Sequence, residues 1–230
     1  MDLKEMKVGD IVTKDFRTAQ VFKTYGIDFC CGGNVSLKEI TAKKNIDLEK
    51  IETELTNLDG RNSNLNLNYQ DWEADFLADY IVNQYHNKVV RVTPQLTEYV
   101  NKIARVHGER HPELIEIDKR FEVVVKELLT HQTQEENILF PAIKEALSQG
   151  TQKSKYTIKA QLKDMLKDHD MIGKTMDEIN ALSNNYKLPN DACKTYMVAF
   201  KMLEEFEDDL HVHVHLENNI LFPKIEKLAV

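Results

Sequence analysis

Apolar and polar residues recur along most of the chain with the spacing of helices. In DWEADFLADYIVNQYHNKVVRV (residues 71–92), apolar side chains return every three to four positions, which places them on one face of a helix. The same spacing predicts three more long helices: one from near Pro112 to Pro141, one over roughly 157–183, and one from about Asp191 to the C-terminus. Four long helices with short polar connections predict an up-down four-helix bundle.

Prolines fall inside three of these predicted helices. Pro94 predicts a kink or break in the first, because proline lacks a backbone donor and its ring clashes with the preceding turn. For the same reason, Pro141 predicts the end or a kink of the second helix, and Pro223 a disturbance in the last turns of the fourth.

Shorter helical patterns occupy the N-terminal part of the chain. VTKDFRTAQVFKTYG (12–26) predicts one short amphipathic helix stopped by Gly26, and two more follow the capping residues Ser36 and Asp47. NLDGRNSNLNLNYQ (57–70) contains five Asn and little periodicity, which is typical of a linker. We therefore predict an all-α protein with a small helical N-terminal module over residues 1–58, a linker over 59–70 and the bundle over 71–230.

Composition narrows the classes of partner. The 230 residues are 42% hydrophobic and 30% charged, which suits a protein with a real core, and the net charge of -8 disfavours a nucleic-acid or anionic-membrane surface. No stretch approaches the roughly 18–20 apolar residues that span a bilayer, and the N-terminus lacks the apolar region of a secretory signal. With only three cysteines, we expect a reduced, cytoplasmic protein.

One motif occurs twice in the chain. HQTQEENILFPAI (131–143) and HVHLENNILFPKI (213–225) agree at eight of thirteen positions and lie 82 residues apart. In each copy a His and a Glu stand four residues apart, on one helix face. A single HxxxE pair commonly arises by chance on a solvated face, but the repetition favours a metal site.

The repeat extends to a lone histidine before each copy. His86 precedes His131 by 45 residues, and His169 precedes His213 by 44, so the repeated unit is a helical hairpin. Two such hairpins related by an approximate twofold would direct four histidines and two glutamates at one another. The predicted set is His86, His131, Glu135, His169, His213 and Glu217.

A coordination scheme follows as a hypothesis. Glu135 and Glu217 bridge two metal ions, and the four histidines supply two nitrogens to each. Imidazole with carboxylate suits iron, manganese or zinc, and the sequence does not choose among them. Each ion would keep open positions for an oxo or hydroxo bridge and for a small exogenous ligand.

Three roles are open for the acidic residues near the motif. Glu127 and Asp209 precede His131 and His213 by four residues, and Asp168 lies beside His169. These acids either accept hydrogen bonds from the ligand histidines or line an access channel, or they are ordinary solvated charges.

For residues outside the six ligand positions, we predict only where they lie. His211 and His215 are expected at the surface or behind the ligands, and Cys193 in the core. Phe140 and Phe222, repeated in the motif, are expected to pack beside the metals.

Adjacent cysteines stand in the motif DFCCGG. Cys30 and Cys31 could bind a soft metal or exchange electrons, particularly if a helix N-terminus lowers a thiol pKa. They could equally be two small thiols buried in a tight turn. A disulfide between neighbours would be strained, and the two glycines allow a close approach of the backbone to another group.

Taken together, these motifs resemble those of the repair-of-iron-centres family of bacterial di-iron proteins, whose C-terminal part is a hemerythrin-like bundle. All six positions where that family places iron ligands carry matching residue types, and the DFCC-type motif is intact. The resemblance implies a non-haem centre of two iron ions, oxo-bridged, and a homodimer. It also implies a role in repairing iron–sulfur clusters after oxidative or nitrosative stress, with damaged iron–sulfur proteins as iron recipients.

Three functions remain open at this point, and so does the question of enzymatic activity. The first is donation of iron from a labile di-iron centre to damaged clusters. The second is binding of nitric oxide and its reduction to nitrous oxide, with Cys30 and Cys31 as electron relays. The third is oxygen binding or sensing, which is least favoured because carrying oxygen needs no dithiol module. We expect the dimer interface on the N-terminal module.

Overall fold

A computed structural model describes residues 2–60 and 68–229, and residues 61–67 of the predicted linker lie outside them. Within the described residues the regular structure is helical apart from one isolated antiparallel bridge, between Lys7 and Ser36. This confirms the all-α prediction. None of the described helices is both long and apolar enough to cross a bilayer. The domain boundaries at 58 and 70 stay a prediction.

Four short helices form the N-terminal module. They are α1 (Val8–Lys14), α2 (Thr18–Thr24), α3 (Leu37–Lys44) and α4 (Leu48–Thr56). Ser36 caps α3 in a reciprocal capping box with Glu39, and Asp47 caps α4, as the sequence predicts. Gly26 has a φ of 59° and ends the segment after α2, also as predicted.

The single helix predicted over residues 12–26 is wrong, because the chain breaks at Asp15. This residue has extended backbone, with a φ of -143°, and its carboxylate accepts hydrogen bonds from the Arg17 backbone and guanidinium. Its carbonyl accepts the Thr18 hydroxyl at 2.7 Å. Such local side-chain hydrogen bonds compete with those of a continuous helix. Helix α1 therefore ends at Lys14, and α2 begins at Thr18.

Four long rods build the bundle. Three of them contain a π-helical segment between two α-helices, and the third rod is a single α-helix in the described chain. The first rod is α5 (Ala74–Ile81), π1 (Val82–His86) and α6 (Asn87–His107); the second is α7 (Glu113–Gln134), π2 (Glu135–Leu139) and α8 (Phe140–Ser148); the third is α9 (Gln152–Leu182); the fourth is α10 (Lys194–Leu216), π3 (Glu217–Leu221) and α11 (Phe222–Leu228). Helix α7 packs against α6 and α9, and α10 against α6 and α9.

The prolines do not break the rods. Pro94 lies inside α6, so a break there is wrong, and a kink stays a prediction. Pro141 and Pro223 lie in the first turn after π2 and π3. The carbonyls four residues earlier, which each proline ring would meet in a regular helix, belong to the widened π turns, and this accommodates the ring.

Two apolar clusters share the interior. One contains buried residues of α6, α7 and α10 and also of the N-terminal module, including Phe22, Phe29 and Ile51. The other fills the opposite end of the bundle around α5, α8 and α11. The sequence positions of the six predicted ligands fall where each rod passes from one cluster to the other. The six predicted ligands form a polar layer between the two clusters. The N-terminal module shares the first cluster with the bundle.

Candidate metal centre

The structure brings all six predicted ligand residues together inside the bundle. Each is at most 1% exposed. Their ligand atoms form two groups in which every atom lies within 4.8 Å of the others: His86, Glu135, His213 and Glu217 in one, and His131, Glu135, His169 and Glu217 in the other. Both glutamates belong to both groups, which is the arrangement that a binuclear site with two bridging carboxylates requires.

Distances place the glutamates between two histidine pairs. The Nε2 atoms of His86 and His213 are 3.2 Å apart, and those of His131 and His169 are 2.9 Å apart. Glu217 spans the pairs, with Oε1 at 2.9 Å from His213 Nε2 and Oε2 at 3.2 Å from His169 Nε2. Glu135 Oε2 lies 3.4 Å from His86 Nε2 and 3.3 Å from His131 Nε2.

The donor atoms fit metal ions better than they fit one another. Both carboxylate oxygens of Glu135 and Oε2 of Glu217 are buried and accept no well-aligned hydrogen bond in the described chain, although histidine Nε2 atoms lie 3.2–3.4 Å from the two Oε2 atoms. Buried carboxylates whose hydrogen bonds are incomplete are costly, and coordination of cations is one way to satisfy them. Four imidazole nitrogens and two carboxylates facing one space therefore suit a pair of iron, manganese or zinc ions.

The pKa values of residues in the polar layer also favour a metal site. Burial alone would lower the pKa of His86, but Glu135 and Glu217 outweigh it and raise the pKa to about 10. Burial likewise opposes the charged form of His131, and Glu135 raises its pKa to about 9. Burial works against the charged form of Glu217, yet the surrounding histidines hold its pKa well below the usual range. The site stabilises buried carboxylates by surrounding them with positive charge, a role that metal ions fill more completely.

Outer hydrogen bonds orient His86 and His169. The Nδ1 of His86 lies 2.8 Å from Glu136 Oε1, and that of His169 lies 2.7 Å from Asn218 Oδ1. Because these oxygens only accept, Nδ1 carries a proton in each ring, and Nε2 is the nitrogen that would coordinate a metal ion once it carries no proton of its own. Glu136 and Asn218 were missed from the sequence, although they hold equivalent positions in the two motif copies, directly after the glutamate.

Repeated phenylalanines close the layer, as the sequence predicts. The ring of Phe140 stacks on His86 with centroids 5.8 Å apart, and Phe222 stacks on His169 at 5.6 Å. Both phenylalanines are 4% exposed, so they shield the imidazoles from water.

The three acids predicted near the ligands have different surroundings. Asp168 lies 3.3 Å from His131 Nδ1 through Oδ2, which fits the hydrogen-bonding reading. Glu127 pairs with Lys126 at 3.5 Å and no hydrogen bond joins it to a ligand histidine among the described residues. Asp209 pairs with Lys88 at the rim of a cavity that reaches His213.

That cavity lies between the first and fourth rods, and His213 is the one candidate ligand in its lining. It has a volume of about 100 Å³ and is lined mainly by apolar atoms, with Tyr85, Lys88 and Asp209 among its walls. Tyr85 stacks on the His213 ring at 5.5 Å, and the Nδ1 of His213 has no hydrogen-bond partner within the described chain. The cavity therefore offers room for a small ligand next to His213.

The two thiols of DFCCGG lie against the bundle beside the centre. Cys31 Sγ lies 3.4 Å from the backbone carbonyl of His169, and its distance to Cys30 Sγ is 4.0 Å. Both thiols are free. A hydrogen bond to Cys31, burial and the nearby Asp28 carboxylate raise the pKa of Cys30 well above its usual value, so the expected lowering of a thiol pKa does not apply to Cys30.

The turn that holds the thiols is organised by Asp28. Its carboxylate accepts backbone N–H groups from Cys30, Cys31 and Gly32 at 2.7–3.1 Å. A Cβ added to Gly33 would stand 2.4 Å from the Phe29 carbonyl, so the glycine allows the close approach that the sequence predicts.

The structure decides two expectations about burial. His215 is fully buried, which excludes the surface and leaves a place behind the ligands: its ring packs on Phe29 at 5.6 Å, and burial lowers its pKa to about 4. Cys193 is exposed and precedes α10 instead of packing in the core. The sequence did not reveal that the loop with the DFCCGG motif (residues 28–33, the DFCC loop) packs on the fourth rod. His215 is buried because this loop lies over it.

Comparison with known proteins agrees with this two-part architecture. Residues 77–225 match the Hemerythrin HHE cation binding domain, and residues 4–59 match the ScdA_N domain, described as a domain of unknown function (DUF542). The chain is 36% identical over 225 residues to the iron-sulfur cluster repair protein ScdA of Staphylococcus haemolyticus, which covers 97% of this chain and 99% of that protein. The chain belongs to the ScdA and YtfE family.

Other members of the family are similar over the same length. A probable iron-sulfur cluster repair protein of Haemophilus influenzae is 33% identical, with 98% of both chains covered. The iron-sulfur cluster repair protein YtfE of Yersinia pestis is 29% identical, with 97% of this chain and 98% of that protein covered. This membership confirms the resemblance drawn from DFCCGG and the repeated HxxxE, and it makes the bundle a hemerythrin-like, cation-binding domain.

Proposed function

We propose that this protein holds two iron ions in the bundle and donates iron to damaged iron–sulfur clusters. The observation that carries the proposal is the pair of buried His/Glu groups that share both Glu135 and Glu217. In this proposal His86 and His213 hold one ion, His131 and His169 hold the other, and the carboxylates bridge them. The names of the relatives, iron-sulfur cluster repair proteins, support the target.

The ligand set suits an ion that must leave again. Each iron would have two imidazoles and the two shared carboxylates as protein ligands, and small exogenous ligands would have to complete its coordination. Thiolates, which hold iron firmly in iron–sulfur proteins, are absent from the six residues. The thiols lie outside, with Cys31 Sγ touching the carbonyl of His169, where they could receive an ion on its way out.

Cluster recovery tests the donation directly. A [4Fe–4S] hydro-lyase oxidised to its [3Fe–4S]⁺ form regains activity on taking up one Fe²⁺ and one electron, which gives [4Fe–4S]²⁺. The iron-loaded full-length protein is supplied as sole iron source, with a reductant and a chelator that captures free Fe²⁺. We expect recovery with this protein and with Asp170→Asn, an exposed carboxylate change on the third rod, and none with His131→Ala.

One outcome of this experiment would contradict iron donation. Recovery no greater than that from the same amount of free iron under the same chelator would contradict donation. Metal analysis of the purified protein separates this outcome from a failure of the site, because two irons per chain without recovery would keep the centre and reject the donor role.

A second candidate function is the reduction of nitric oxide, and the cavity that reaches His213 favours it. This cavity is small and mainly apolar, which suits a neutral diatomic molecule. Two ferrous ions would supply the two electrons that, with two protons, convert two NO to N₂O and H₂O. Anaerobic gas analysis of the reduced protein measures this activity, and absence of N₂O would reject it. Unchanged turnover in Cys30→Ser and Cys31→Ser would exclude the thiols as relays.

Dimerisation and the recipient proteins stay predictions. The N-terminal module is still the expected interface, and sedimentation of the full chain measures the assembly.

A further inference from the structure

A second set of metal-ligating side chains lies outside the candidate binuclear centre, in a groove between the N-terminal module and the bundle. Asp177 of α9 and Glu207 and His211 of α10 each bring one ligand atom to within 4.8 Å of the other two. Glu207 and His211 stand one helical turn apart and therefore share a face of the fourth rod.

The groove is roomy and is lined from both sides. Its volume is about 850 Å³. The module contributes Asp28 and Phe29 of the DFCC loop, and the Phe29 ring meets the His211 ring at 6.0 Å. The groove therefore has room for a hydrated ion next to the three side chains, beside this loop.

Tyr186 provides a separate indication that something is bound there. Its side chain lines the groove and is 8% exposed, and its hydroxyl lies beside the Glu207 carboxylate and the Asn180 amide without a well-aligned hydrogen bond to either. A buried hydroxyl that makes no well-aligned hydrogen bond to its neighbours points to a further partner in the groove.

His211 is the positive group nearest to both carboxylates of the groove, and Lys44 also acts on Asp177. Glu207 is 3% exposed and accepts a hydrogen bond from the Asn180 amide at 2.8 Å. No lysine or arginine of the described residues forms an ion pair with Glu207 or Asp177. The two lysines at the groove are engaged elsewhere: Lys23 pairs with Asp208, and Lys44 donates to the Gly26 carbonyl.

Burial and repulsion act on both carboxylates as a result. Burial raises the pKa of Glu207, and burial together with the Asp28 charge raises the pKa of Asp177. A divalent cation between them would offset both effects, because it adds the opposite charge at the point where the carboxylates meet.

We propose that Asp177, Glu207 and His211 form a mononuclear cation site, separate from the binuclear centre. Two carboxylates and one imidazole suit divalent first-row ions such as Mn²⁺ and Fe²⁺. The Tyr186 hydroxyl is the group that would hydrogen-bond a water on that ion. The site does not depend on iron donation, and the DFCC loop contacts it through the rings of Phe29 and His211.

Mn²⁺ is the probe for this site. The full-length protein is stripped with a chelator and titrated with Mn²⁺, and bound metal is counted at equilibrium while electron paramagnetic resonance separates isolated from coupled ions. We compare the natural protein with Asp177→Asn/Glu207→Gln and with a matched control, Asp170→Asn/Glu205→Gln, which removes two exposed carboxylates from the same two helices. We expect the first double variant to bind one Mn²⁺ fewer and to lose the isolated-ion signal, and the control to lose neither.

The test distinguishes this site from the binuclear one. If the centre at Glu135 and Glu217 binds no Mn²⁺, the isolated-ion signal and its loss in Asp177→Asn/Glu207→Gln still support the groove site. Equal Mn²⁺ stoichiometry in all three proteins would overturn it. Should the double variant fail to fold, His211→Gln, a change at a half-buried position, is expected to weaken the isolated-ion signal at least tenfold, and unchanged binding there would also overturn the proposal.

Discussion

At the scale of single residues, the ring orientation of two ligand histidines is fixed by hydrogen bonds to residues of the repeated motif itself. Glu136 follows Glu135 directly, yet it contacts His86 on the first rod. The six inward side chains could be predicted from their spacing in the repeat. Glu136 and Asn218 could not, because in a regular helix a residue next to an inward-facing glutamate points about 100° away from it. The π turns at these positions change that direction.

Replacing Glu136 by alanine should weaken metal binding without removing a ligand. The Nδ1 proton of His86 would lose its acceptor, so the ring would no longer be held with Nε2 facing the centre. Loss of such a partner typically costs about 10–100-fold in metal affinity. Competition with a chelator of known affinity measures the change. Asn137→Ala, the next residue and exposed, is the control, and equal affinities in the two variants would contradict the role of Glu136.

Phe222→Ala tests the apolar wall of the centre. Phe222 is 4% exposed and stacks on His169, so its removal leaves a cavity beside a ligand. Truncation of a buried phenylalanine costs about 3–5 kcal/mol of unfolding free energy. Denaturant unfolding of the metal-free protein measures this, which separates packing from coordination. Phe76→Ala, at a side chain 57% exposed, should change the unfolding free energy by less than 1 kcal/mol.

At the scale of elements, the period of apolar residues predicted the four rods but not their π segments. A π turn adds one residue to a helix without changing which residues are apolar, so hydrophobic spacing does not reveal it. π1 ends at His86, π2 begins at Glu135 and π3 begins at Glu217. Three of the four rods therefore deviate from regular geometry at a candidate ligand, where such bulges are frequent. The prolines that suggested helix ends belong to the same local adjustment in the second and fourth rods.

Pro94 is the exception among the prolines, since it lies inside α6 with no π segment at the carbonyl four residues before it. It is exposed, so its ring contributes little packing. Pro94→Ala should restore a backbone hydrogen bond and raise the unfolding free energy by about 1–3 kcal/mol. Thermal and denaturant unfolding measure the gain. A lower stability would indicate that α6 needs the bend that proline imposes.

At the scale of the whole molecule, the N-terminal module acts as a cover over the fourth rod. The sequence predicted a helical module, with one helix where the structure has α1 and α2, but composition alone carries no information about which bundle face the module contacts. That face is specified by particular contacts. The Asn219 amide of π3 lies within hydrogen-bonding distance of the carbonyls of Phe29 and Cys30, and His215 packs under Phe29. The segment that carries Glu217 therefore also carries the residue that holds the thiol loop, which links the two halves of the chain at the candidate centre.

Phe29→Ala should loosen this cover while leaving the six ligands in place. Phe29 is 5% exposed and packs on the rings of His211 and His215, so the variant loses the largest apolar contact of the loop with α10. We expect about 3–5 kcal/mol less unfolding free energy and faster proteolysis within the first 60 residues, with metal retained at Glu135 and Glu217 because those side chains belong to the bundle. Limited proteolysis with mass spectrometry measures the cleavage within the first 60 residues, and metal analysis measures the metal retained. Tyr156→Ala, at a side chain 75% exposed, is the control. Loss of both bound metals together with the cover would show instead that the bundle needs the module to keep its centre closed.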